Sequence, residues 1–90
     1  MNTAFLLMAQ YNALVVIPAG TVVRDYFPHL TLDKFLRKVA LGEIKIPLLR
    51  IEAGSQKAAK GVHLTDLAEY LDNRRAAAVK EARQLAGAAA

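Results

Sequence analysis

The sequence predicts an α+β domain, mostly helical: a winged helix-turn-helix with a β-hairpin wing and a C-terminal helix. Three observations carry this. Two short amphipathic helix patterns are joined by the tight link "PHLT", residues 28–31. Residues 46–64 alternate apolar and polar side chains on both sides of a polar, glycine-bounded connection. A capped helical pattern then runs towards the C-terminus.

Residues 3–11 read as a short helix capped by Asn2 or Thr3, with a short strand as the competing assignment. Phe5, Leu6, Leu7 and Met8 surround its axis instead of forming a stripe. An all-round apolar helix must be buried, and at a chain terminus burial often needs a second subunit. The apolar segment 1–13 is therefore expected to hold a homodimer together. "LVVIP", residues 14–18, is β-branched, ends at proline and reads as a short strand. "AGTVVRDYF", residues 19–27, reads as a helix with Val22, Val23, Tyr26 and Phe27 on one side.

The next helix has the clearest punctuation. Thr31 is its N-cap, Leu30 and Phe35 occupy the places of a hydrophobic staple, and Asp33 suits the first turn. Leu32, Phe35, Leu36 and Val39 form the apolar stripe, and Gly42 marks the end. Lys34, Arg37 and Lys38 fall on the opposite face. In the hairpin, Leu49 and Ile51 alternate with Arg50 and Glu52, and Val62 and Leu64 flank His63. Thr65 is expected to cap the last helix, with Asp66 and Glu69 in its first turn and Leu67, Tyr70 and Leu71 on its apolar side. Residues 76–90 read as a helical extension with a frayed tail after Gly87. Phe35 and Leu71 are both expected to be buried. His29 reads as a turn residue and His63 as a strand-face residue without a special role.

A chain of 90 residues makes one domain, 1–90, and one this small is marginal alone. It has no cysteine, which excludes disulfides and thiolate metal sites and fits a cytoplasmic protein. The start lacks the basic region of a signal peptide, and no run approaches the ~20 apolar residues of a membrane span. There is no convincing nucleophile–base pair, phosphate loop or metal cluster, so neither an enzyme nor a bound cofactor is expected. The net charge is +4, but Lys34 to Lys60 alone holds seven cations against Glu43 and Glu52. The positive charge belongs to the middle segment, which points to an anionic partner there.

Helix, turn, basic helix and hairpin together suggest double-stranded DNA. The second helix of such a module enters the major groove, presenting cations to phosphates and a guanidinium fork to guanine. The expected contacts are Thr31, Lys34, Arg37 and Lys38 on the helix, Lys45 and Arg50 after it, and Ser55, Gln56, Lys57 and Lys60 on the wing. Two other readings compete. One is an architectural, excisionase-like protein that bends DNA. The other is a protein-interaction module, such as an anti-repressor, docking through its apolar N-terminal segment.

"MNTAFLLMAQY", "VIP", "RDYF", "IP…R", "SQKA" and "VHLTDLAEYLD" resemble the pyocin activator (PrtN) family, over residues 1–75. The element order also looks like the winged helix of the excisionase and MerR type. The resemblance implies a bacterial transcriptional activator that binds promoter DNA upstream of bacteriocin genes in a DNA-damage response. It also implies a partner in the transcription machinery, such as RNA polymerase. It carries Ser55, Gln56 and Lys57 over as wing residues. The family pattern would continue with proline and an aromatic residue, where this chain has Ala59, Lys60 and Gly61.

Overall fold

The computed structural model describes residues 2–55 and 59–89. They form four helices and a small antiparallel sheet. The order is α1 (Thr3–Gln10), β1 (Val16–Pro18), α2 (Ala19–Tyr26), α3 (Leu32–Ala40), β2 (Leu49–Arg50), β3 (Lys60–His63) and α4 (Leu64–Ala89). The sheet runs β1-β3-β2, with Ile17 opposite Val62 and Arg50 opposite Lys60.

Local chemistry sets the helix ends. The Asn2 carboxamide oxygen accepts a hydrogen bond from the Ala4 N–H at 2.7 Å and starts α1. At its end Asn12 and Ala13 take left-handed φ of 53° and 60°. The Thr31 hydroxyl accepts from the Lys34 N–H at 3.2 Å and starts α3. Gly42, at φ 76°, ends it: the Glu43 N–H returns to the Lys38 carbonyl and the Gly42 N–H to Val39. That is the double closure of a Schellman turn, which favours glycine at its left-handed residue.

The core gathers one fully buried side chain from each of five elements: Ile17 of β1, Val22 of α2, Phe35 of α3, Val62 of β3 and Leu67 of α4. The Phe27 ring stacks obliquely on Phe35, centroids 5.1 Å apart, and reaches Tyr70 at 5.9 Å. These contacts fix α3 by its inner stripe and leave its cations outside.

Within one chain only Leu7 of α1 enters the core, while Phe5, Leu6 and Met8 are 61%, 51% and 45% exposed. Several other expectations are corrected. β1 takes up only the last part of "LVVIP", and Leu14 and Val15 are exposed. Leu64 opens α4 instead of closing the hairpin, although its N–H still bonds to the Val15 carbonyl, so the strand runs directly into the helix. Thr65 is therefore inside the helix, and His63 stands in its place: its Nδ1 accepts from the Thr65 N–H at 3.1 Å. Leu71 is half-buried, unlike Phe35. α4 stays helical past Gly87 to Ala89.

Candidate nucleic-acid interface

The hairpin β2–β3 stands beside α3. Its turn uses Gly54 at φ 77°, with the Ser55 N–H returning to the Glu52 carbonyl at 3.4 Å. Ile51 N–H to Ala59 carbonyl, 3.0 Å, extends the pairing beyond the strands. β3 is seated on β1 at Gly61, where any Cβ would lie 2.7 Å from the Ile17 carbonyl oxygen. Only a glycine permits that approach.

A shallow groove runs between α3 and the hairpin. Arg37, Arg50 and Lys60 line it around an apolar floor of Leu36, Val39 and Leu48. No acidic side chain among the described residues lines it. Arg50 and Lys60 are also direct cross-strand partners. Side chains so placed share a face, with Cβ atoms roughly 5 Å apart, and like charges there cost stability. The arrangement concentrates positive charge where the fold alone would gain by separating it.

The other expected contacts are more scattered. Lys34 is exposed on α3, and Lys38 Nζ lies 4.0 Å from a Glu43 carboxylate oxygen. Both partners of that pair are well exposed, so it is weak. Thr31 spends its hydroxyl on the helix cap. Ser55 is half-buried in the turn. Gln56 and Lys57 lie outside the described residues. Lys45 is not in the groove; it lies on the other flank of α3, beside α4. Among the described residues no group of three His, Asp or Glu side chains is placed to hold a metal ion. No helix there is long and apolar enough to cross a membrane.

A polar cluster fastens α1 to α2. The Tyr11 hydroxyl donates to Asp25 at 2.7 Å, and Arg24 Nε donates to the same carboxylate at 2.9 Å. The Tyr26 hydroxyl donates to the Gln10 carboxamide at 2.8 Å. The Arg24 guanidinium first, and the Tyr11 hydroxyl second, hold the Asp25 carboxyl below the usual carboxylate range. Burial, then the bond to Asp25, pushes the Tyr11 hydroxyl upward. Thr3 similarly donates to Asp72 of α4 at 2.6 Å. The Tyr11–Asp25, Tyr26–Gln10 and Thr3–Asp72 bonds join residues 14 to 69 apart, so no local pattern announces them.

Comparison with known proteins gives one finding on family. The model of a family described as Pyocin activator protein PrtN matches residues 3–78. No curated protein and no solved structure matches the chain.

Proposed function

The chain belongs to the pyocin activator family, and from that premise we propose a sequence-specific, DNA-binding transcriptional activator of bacteriocin genes. The family's description is that of a regulator. In this reading α2 and α3 are a helix-turn-helix, α3 lies in the major groove, and the β2–β3 hairpin is the wing. The observation that carries it is the groove in which Arg37, Arg50 and Lys60 converge without an acid. An Arg–Lys cross-strand pair is unfavourable in the free protein and becomes favourable against a phosphate backbone. Arg37, in the middle of α3, is the side chain placed for base edges; Arg50 and Lys60 are placed for phosphates. Such a protein works in the cytoplasm, on the nucleoid, and activation adds a contact with RNA polymerase.

The reading includes a homodimer. No charged residue precedes Arg24, and α1 exposes Phe5, Leu6 and Met8. A two-fold interface sets one patch against its own copy, and an uncharged apolar patch can do this without like-charge repulsion. The rest of the chain, net positive, repels its copy.

The test is selection of duplexes from a random pool by the purified protein, followed by sequencing. A recurring sequence motif, and a reporter driven by promoters that carry it, are expected to respond to the protein. Recovery of unenriched DNA, or none, would refute the proposal.

A further inference from the structure

Lys45 is fixed in place by its neighbours. Ile44 and Ile46 are buried, 8% and 3% exposed, so the backbone is pinned on both sides and Lys45 is turned outward. It lines a second groove with Tyr70, Asn73 and Arg74 of α4 and with Glu43. Tyr70, Asn73 and Arg74 follow i, i+3, i+4 spacing and share one face of α4. The Tyr70 ring, 5.9 Å from Phe27, ties that face to the core.

The position of this groove relative to α3 is informative. Glu43 pairs with Lys38, so the second groove adjoins the Lys38 side of α3. The first groove adjoins Leu36 and Ala40. At 100° per residue, Lys38 lies about 160° around the helix from both. The two cationic grooves therefore flank α3 on opposite sides. A helix is about 10–12 Å across and the major groove about 12 Å wide, so a helix seated there has phosphates on both banks. Among the described residues the ion pairs are Arg24–Asp25 and Lys38–Glu43, which leaves Lys45 and Arg74 without an acidic partner.

We infer that the groove of Lys45, Asn73 and Arg74 is a phosphodiester site, holding the DNA strand on the bank of the major groove opposite the hairpin. Arg74 and Lys45 supply charge, and the Asn73 amide supplies a neutral donor. This inference rests on the DNA reading above, and it makes α4 part of the DNA footprint. Glu43 is the one acid lining this groove. It weakens the site in the free protein and sets how much affinity the groove contributes.

The experiment titrates a mixed-sequence duplex with parent, Arg37→Ala, Arg74→Ala, Lys45→Ala, Glu43→Gln and Arg83→Ala at several salt concentrations. Circular dichroism confirms folding; Arg74 and Arg83 are exposed on a helix, where alanine is well tolerated. Losing one phosphate contact lowers the salt slope by about 0.9, which is roughly eightfold in affinity at about 0.1 M salt. Arg74→Ala and Lys45→Ala are expected to behave so, Glu43→Gln to bind more tightly, and Arg83→Ala, about two and a half turns farther along α4, to match the parent. If Arg37→Ala weakens binding while Arg74→Ala and Lys45→Ala do not, the second groove is not a phosphate site and the main reading survives. If Arg83→Ala weakens binding as much as Arg74→Ala, the effect is diffuse charge and the site is refuted. If the parent binds no DNA, both fall together.

Discussion

Replacing Gly61 by alanine tests how the hairpin is seated on the fold. The added Cβ would lie 2.7 Å from both the Ile17 carbonyl oxygen and Val16 Cγ1, and 3.4 Å from the Ile17 carbonyl carbon. The half-buried Val16 side chain can turn away. The Ile17 carbonyl belongs to β1 and cannot move without its strand. A carbon–oxygen contact is comfortable near ~3.3 Å, so β1 and β3 must part by about half an ångström. Overpacking of this kind costs about 1–3 kcal/mol. Alanine recovers about 0.5–1 kcal/mol of chain entropy relative to glycine. The net loss is then up to about 2.5 kcal/mol. For a domain this small each kcal/mol shifts Tm by about 4–8 °C, so the expected fall is up to roughly 20 °C. Gly20→Ala is the comparison, because nothing lies within 4 Å of a Cβ there and α2 favours alanine. Thermal unfolding followed by circular dichroism should show Tm falling for Gly61→Ala and rising for Gly20→Ala. A rise for both would refute the close seating of β3 on β1.

Arg50→Thr removes one member of the Arg50–Lys60 pair and is expected to stabilise the fold by about 0.2–1 kcal/mol while weakening DNA binding, read by urea unfolding and by titration; a loss of both would mark Arg50 as merely structural. Asp25 contributes in a defined pH window. Its folded pKa lies below the unfolded value of about 3.9, so its stabilisation is present above that value and lost as pH falls through the folded one. Asp25→Asn should therefore be less stable than the parent at neutral pH, with the gap closing in acid; a gap independent of pH would contradict the cluster. Phe5→Glu is expected to turn a sedimenting dimer into a folded monomer, and a parent that is monomeric at high concentration would end the dimer proposal. Leu7→Glu would not serve, because Leu7 is core.

α3 was legible in its bounds because independent signals agree there, the Thr31 cap, the apolar spacing and the Gly42 stop, but its stripe was drawn too wide: Leu32, in the first turn, is 42% exposed, and Phe35 alone is fully buried. Its outward cations followed from helical spacing alone. What lay beyond the sequence depended on long-range contacts. Residue type favours Thr65 as a cap, but β3 runs directly into α4 and brings His63 to that place. The exposed faces of α1 were hidden because its apolar pattern does not say that only Leu7 meets the core. The second groove requires α4 to lie beside residues 43–45, which no local pattern encodes. Arg50 and Lys60 were each visible as cations, but their register as direct partners was not.

If α3 reads DNA while the flanking cations hold it, the deciding variant is Arg37→Ala, titrated against a selected duplex and a scrambled one of the same length. A guanidinium fork matches two acceptors on guanine, a geometry that phosphate contacts do not need. A loss of about 1–3 kcal/mol is expected on the selected duplex, a smaller loss on the scrambled one, and relaxed preference at one or two base pairs. Equal affinity of parent and variant for both duplexes would contradict it.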